Sequence, residues 1–161
     1  MNWQEVVANE HLRNLPFKIE LNEQGEVIMN PVKIKHSFFQ NEIGHLLRTM
    51  RKDGFALTDC AIKTSKGTRC ADVAWASLDI FLEIFTQTEA DIAPEVCVEV
   101  LSISNSDFEI REKRALYFER GANEVWTCDE YGTIRFFDSN GKIEKSKMFP
   151  DFPQKVEIPK R

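Results

Sequence analysis

The stretch from Cys70 to Gly121 constrains this chain more than any other. It holds two short apolar runs, CADVAWAS and PEVCVEVLS, each with a carboxylate inside it that a strand interior does not easily carry: Asp72 in the first and, beyond Glu95 at its start, Glu99 in the second. With valines at 96, 98 and 100, the second run reads as a central strand, apolar on both faces except for its glutamates. A carboxylate buried in such a strand must be paired, neutralised or bound to a cation. Lys113 follows on residues 104–121, which read as a helix capped by Ser106 or Asp107 and closed by Gly121. Twenty-six residues separate Asp72 from Glu99, and if their strands pair, both side chains converge at one end of a sheet. Two hard oxygen ligands, with the carbonyl of Val100 beside them, suit Mg²⁺ or Mn²⁺. A lysine at the same point suits orientation of an attacking water or neutralisation of developing charge. By spacing alone, a structural ion pair between the same groups is equally open.

The rest of the chain supplies a frame for that stretch. Residues 2–14 read as a helix with Trp3, Val6 and Val7 near one face, ended by Pro16. Residues 17–31 read as a hairpin turning at Asn22–Gly25, with Phe17, Ile19 and Leu21 alternating on one side. The strongest helix is 36–54, where Phe39, Ile43, Leu46, Leu47 and Met50 recur at three-to-four spacing, Ser37 is the candidate cap and Gly54 the stop. Two strands, 55–65 and 70–77, meet at a Lys66-Gly67 turn, and 78–93 reads as a short helix and loop. Residues 123–129 and 133–139 form a second hairpin, with one more edge strand after Gly141. This order predicts a mixed α/β chain, a mixed sheet flanked by helices rather than strict βαβ alternation, in one domain over 1–161. Phe136, Phe137 and Phe149 are read either as apolar surface on which two copies can pair or as core.

Composition narrows the class of function. No run approaches the roughly 18 apolar residues of a membrane span, and the start, MNWQEVVANEH, has no apolar signal core, so a cytoplasmic protein without membrane partners is expected. The four cysteines, Cys60, Cys70, Cys97 and Cys128, lack CxxC spacing, which argues against a zinc ribbon and for buried reduced thiols. A net charge of −5 excludes a broadly basic nucleic-acid binder. It leaves room for a local basic groove, for which Lys33, Arg51, Lys66, Arg69, Arg111 and Arg114 are among the candidates.

The residues from Pro94 through Val96, Val98, Glu99, Val100, Leu101 and Ser102, then Ser104, Asp107, Lys113, Tyr117, Gly121 and the Glu124-Val125-Trp126 run, carry a resemblance. In order and spacing they resemble the Uma-two-type endonucleases (the domain of unknown function 820 group), a bacterial branch of the PD-(D/E)XK restriction-endonuclease-like superfamily. Gly25-Glu26, His36 and Asp72 also fall where that family has them, so the resemblance spans roughly residues 15–140. It implies a restriction-endonuclease-like core and metal-dependent hydrolysis of DNA by a homodimer. Asp72 and Glu99 are then metal ligands, and Lys113 is the catalytic lysine. Glu26, His36, Ser102, Asp107 and Tyr117 are the accessory candidates. The superfamily lysine, two residues after the second acid, is Leu101 here, and Lys113 on the following helix takes its place. Ala71 replaces the proline usual before the first aspartate, and Ser102-Ile103-Ser104 replaces Ser-Pro-Ser. The competing reading is a nuclease-like fold kept as a binding or assembly module, its site filled by a salt bridge to Lys113.

Overall fold

In the computed structural model, which describes residues 1–161, helix α1 spans Trp3–Ala8 and the hairpin β1–β2 spans Phe17–Leu21 and Val27–Pro31. Helix α2 (Ile34–Met50), the long strands β3 (Gly54–Thr64) and β4 (Gly67–Ser77) and the short α3 (Leu78–Ile84) follow. Then come β5 (Val96–Val100), α4 (Asp107–Glu119), β6 (Glu124–Cys128), β7 (Ile134–Asp138) and β8 (Gly141–Ile143). Strands β3 to β8 form one six-stranded sheet in chain order, and β1–β2 is a separate two-stranded ribbon. All neighbours are antiparallel except β5 and β6, which run parallel because α4 carries the chain back between them. This is the mixed sheet flanked by helices that the element order predicts.

Burial follows from the strand composition. Every residue of β5 and of β6 is buried. One face packs Phe39, Ile43 and Leu47 of α2 against Val73, Trp75, Val98 and Trp126, with Phe149 and Phe152 of the C-terminal segment completing the layer. The other face packs Ala74, Cys97 and Val125 beneath Tyr117 of α4. Phe136 and Phe149 therefore belong to the core, and Phe137 lies under the Arg114 guanidinium at 3.8 Å. The apolar dimer surface expected of these rings is used inside the chain instead. All four cysteines are free thiols, Cys70, Cys97 and Cys128 buried and Cys60 half-buried. Burial raises the Cys60 and Cys128 thiols to about 12, which leaves them protonated and unreactive.

Three boundaries differ from the sequence reading. Helix α1 stops at Ala8 because the Asn9 side chain accepts from the His11 N–H and starts a separate turn; Val7 faces solvent. Helix α2 begins at Ile34, after Lys33 and without a side-chain cap, so Ser37 lies inside it. It ends at Met50, and Gly54 opens β3, where a Cβ would run into the Trp75 ring and the Ala76 carbonyl.

Candidate active site

The register of β4 and β5 sets the site. Val73 pairs with Val98, Ala74 with Cys97 and Trp75 with Val96, which puts Asp72 opposite Glu99 at the point where the ladder stops. Beyond it β5 stays with β6, the Leu101 N–H donating to the Cys128 carbonyl at 2.8 Å. The freed Val100 N–H donates to Asp72 Oδ2 at 2.8 Å. A side chain thus completes the interrupted ladder and aims the second oxygen, Oδ1, into the gap. Asp72 is 1% exposed and Glu99 6%.

The neighbouring β3–β4 ladder is interrupted at the same residue. Thr58 pairs with Val73 and Cys60 with Ala71, but Asp59 and Asp72 between them drop out, with Asp59 at φ 50°. The Gln40 carboxamide on α2 spans the break, donating to Asp59 Oδ1 (2.9 Å) and to the Asp72 carbonyl (2.8 Å). Local distortions of strand pairing are common where a sheet must aim a functional side chain.

Two lysines close on the carboxylates. Lys113 of α4 lies 2.6 Å from Glu99 Oε1 and 2.8 Å from Glu20 Oε2. Lys18 of β1 lies 2.9 Å from Asp72 Oδ1 and 3.3 Å from Glu99 Oε1. Glu20 Oε2 also accepts the Cys70 N–H at 2.7 Å. Tyr117, one helical turn beyond Lys113, donates its hydroxyl to Glu99 Oε2 at 3.2 Å. His36 Nε2 is 3.2 Å from Asp72 Oδ1.

The electrostatics follow from this packing. Burial alone would raise the Asp72 carboxyl, but the Lys18 ammonium, and then His36 and Lys113, hold it well below the ordinary range. Glu20 is lowered in the same way, burial being outweighed by Lys113 and Lys18. Burial opposes the charge on Lys18 too, yet Glu99, Asp72 and Glu20 together raise it well above its usual value. Tyr117 is pushed up by burial and by Glu99, so it serves as a hydrogen-bond donor.

Of the residues singled out from the sequence, Asp72, Glu99, Lys113, His36, Val100 and Ser102 all line one cleft of about 400 Å³, and Tyr117 supports it from the core. Ser102 bonds Ser104 Oγ at 2.7 Å and the Asn105 side chain, shaping the loop at the cleft rim. Two assignments are corrected. Glu26 sits in the hairpin turn, accepting from Asn22 Nδ2 at 3.1 Å, because the tight turn directs it away from the sheet. Asp107 is the exposed first residue of α4, where Ser106 is the cap; it borders a small surface depression with Arg111 and Arg114, outside the cleft. The third carboxylate is Glu20, which sequence reasoning missed together with Lys18 and Gln40. The signal was present in β1: Lys18 and Glu20 alternate with Ile19 and Leu21. Such a polar face reads as solvated unless a second element is known to cover it. Among the basic candidates, Lys33 and Arg69 line the cleft, but Arg69 and Lys66 are tied to Glu112, and Arg51 is tied to Asp53.

Asp72 Oδ1 and Glu99 Oε1 are the two hard oxygen donors that the cleft offers to a divalent cation. Asp72 Oδ1 is buried and, despite Lys18 Nζ at 2.9 Å and His36 Nε2 at 3.2 Å, has no donor in hydrogen-bonding alignment. Three carboxylates against two ammonium groups leave the cluster one negative charge in excess. No three His, Cys, Asp or Glu side chains close on one point in this arrangement.

Comparison with known proteins adds to this geometry. A family model described as "Putative restriction endonuclease" matches residues 3–157. The chain is also similar to a solved structure titled as a putative nuclease belonging to DUF820 from Anabaena variabilis ATCC 29413. That match has a TM-score of 0.67 and 18% identity over 86% of this chain and 79% of the other. At that identity the likeness establishes the fold. No curated protein matches the chain.

Proposed function

Because this chain belongs to the Uma2 family, whose description is putative restriction endonuclease, we propose that it is an endonuclease that hydrolyses DNA phosphodiester bonds with the help of Mg²⁺ or Mn²⁺. The observation that carries this reading is the convergence of Asp72, Glu99 and Lys113 at the floor of one cleft, from three separate elements. Asp72 Oδ1 and Glu99 Oε1 are the oxygens that would hold the ion, with the Val100 carbonyl as a third ligand. Bound there, such an ion supplies Lewis acidity toward a phosphoryl oxygen and a more acidic water.

The protein's own groups do the rest. The lowered Asp72 carboxyl stays anionic and ready to bind a cation at neutral pH. Lys113, held by Glu20, presents fixed positive charge beside the phosphate undergoing attack. Tyr117 and the Val100 N–H fix the outer oxygens of Glu99 and Asp72, so the inner oxygens keep their aim. Lys33, on the cleft wall, is the basic candidate we assign to the DNA backbone, since Arg69 is tied to Glu112.

A second reading, a non-catalytic binding or assembly module, has one observation in its favour: both carboxylates already have ammonium partners, Lys113 on Glu99 and Lys18 on Asp72. Calorimetric titration of Mg²⁺ and Mn²⁺ into the protein and into Asp72→Ala, with plasmid cleavage under the same conditions, separates the two. Metal binding and nicking that both vanish in the variant support the endonuclease. Neither activity at millimolar metal selects the module.

A further inference from the structure

We infer that Lys18 is the resident counter-cation of the carboxylate pair, and that a divalent ion binds at Asp72 and Glu99 by displacing its ammonium group. The inference rests on the metal-dependent reading of the site.

The contacts single out Lys18 from the other basic groups. Its Nζ is the positive group that bridges the pair, 2.9 Å from Asp72 Oδ1 and 3.3 Å from Glu99 Oε1. Lys113 shares Glu99 Oε1, at 2.6 Å, but turns to Glu20 and does not reach Asp72, and His36 reaches Asp72 but not Glu99. The two oxygens that Lys18 meets are the inner ones, since Asp72 Oδ2 is held by the Val100 N–H and Glu99 Oε2 by Tyr117. A hard cation seeking two carboxylate oxygens at this point needs the same two atoms. Lys18 therefore stands in the gap such an ion would fill.

Its tethering makes exchange feasible. Lys18 has no ion-pair partner beyond Asp72 and Glu99. Lys113 has Glu20, which is itself anchored to the Cys70 N–H. When a divalent ion takes the inner oxygens, Lys113 keeps its anchor and Lys18 keeps none. The Lys18 side chain is 12% exposed and lines the cleft, so its flexible stem can carry the ammonium into the open volume, where a phosphate would sit. Charge balance favours the exchange: replacing one of the two ammonium charges by a divalent ion brings the three-carboxylate cluster from one excess negative charge to neutrality.

Mn²⁺ affinity, read by calorimetry on the full chain, tests this without reference to cleavage. Lys18→Met is expected to bind Mn²⁺ about tenfold more tightly, the factor lost when only about a tenth of molecules are competent to bind. Lys113→Met removes the same charge beside Glu99 but leaves the bridging position filled, and its affinity is expected to change by no more than roughly threefold. Equal gains in the two variants, or no gain in Lys18→Met while the wild type binds through Asp72, overturn the inference and leave the metal reading standing. No binding in any of the proteins overturns both. Should Lys18→Met fail to fold, wild-type crystals soaked in MnCl₂ decide: Lys18 Nζ withdrawn from Asp72 supports displacement, and bound Mn²⁺ with Lys18 unmoved overturns it.

Discussion

The carboxamide nitrogen of Gln40 donates to the main-chain carbonyl of Asp72 at 2.8 Å, so helix α2 holds the backbone of the residue whose side chain faces the cleft. The same nitrogen reaches Asp59 Oδ1, and Asp59 sits at φ 50° opposite Asp72. A non-glycine residue in that region costs about 1 kcal/mol or more, and aspartate is among the residues that bear it best. Gln40→Leu preserves the helix and removes both bonds. Nicking at saturating metal is expected to fall about tenfold, since small misplacements at a reacting centre are costly, with a stability loss of about 1 kcal/mol. A variant with wild-type turnover and unchanged urea midpoint would show that Asp72 is positioned without Gln40.

A fourth buried carboxylate, Glu124, has a purely architectural place. It is 2% exposed and accepts from the Trp126 indole (2.9 Å) and from the N–H groups of Lys147 and Met148 (2.9 and 3.1 Å), pinning the C-terminal segment against β6. It pairs with Val96, at the opposite end of β5 from Val100 and the site. Glu124→Ala leaves three donors unpaired, each costing about 1–3 kcal/mol if it stays buried. A loss of about 3 kcal/mol or more in chemical denaturation is expected, with metal affinity of the folded fraction intact. A loss below about 1 kcal/mol would mean that water replaces the carboxylate.

These two residues mark how far the sequence could be read. Asp72 and Glu99 were legible because each is a lone charge in an apolar strand, a costly placement. Lys113 and Tyr117 were legible because helical spacing puts them on one face. The family-matching Glu124-Val125-Trp126 run was visible, but its anchoring of residues 147–148 was not, since a main-chain donor leaves no trace in side-chain identity. Gln40 was hidden for the converse reason: a glutamine beside an apolar helical stripe reads as solvated. Lys18 and Glu20 share that ambiguity on the polar face of β1, and Glu26 drew the assignment that belongs to Glu20. The phenylalanines near the C-terminus show the limit of composition, because apolar content does not say which face of the chain it covers.

Acid stability tests the ion cluster as a whole. Asp72 and Glu20 are both lowered in the folded chain, from ordinary values of 3.8 and 4.5. A lowered carboxyl stabilises the fold above its unfolded value and loses that contribution as pH falls through the folded one. Lys18 is raised above 10.5, so its contribution is complete below that pH and is lost only as pH rises through the folded value. The cluster's contribution is therefore expected to be level at neutral pH and to decline once the pH drops past 4.5 and 3.8. Asp72→Asn is expected to cost about 3 kcal/mol at neutral pH, by breaking a buried pair, and the gap to wild type should close in acid. Parallel urea midpoints of the two proteins across the acid range would exclude Asp72 as a source of the pH dependence.

Glu20 offers the sharpest separation between holding a metal and using it. Its Oε2 accepts the Cys70 N–H at 2.7 Å and the Lys113 ammonium at 2.8 Å, so one atom ties the lysine of α4 to the backbone of β4. Glu20→Gln keeps the shape and removes the charge. Lys113 would then keep Glu99 as its one charged partner, through an oxygen that the proposed metal also engages. With the metal bound, its ammonium is expected to lose its fixed place, and a displaced electrostatic contact of this kind typically costs about a hundredfold in rate. Mn²⁺ affinity should weaken only severalfold, roughly the effect of one nearby charge in a partly solvated site, because Asp72 Oδ1 and Glu99 Oε1 are untouched. Plasmid nicking and calorimetry on the same preparation read the two quantities. Rate and affinity falling together would place Glu20 among the metal ligands, whereas a rate that holds would show that Lys113 needs no anchor beyond Glu99.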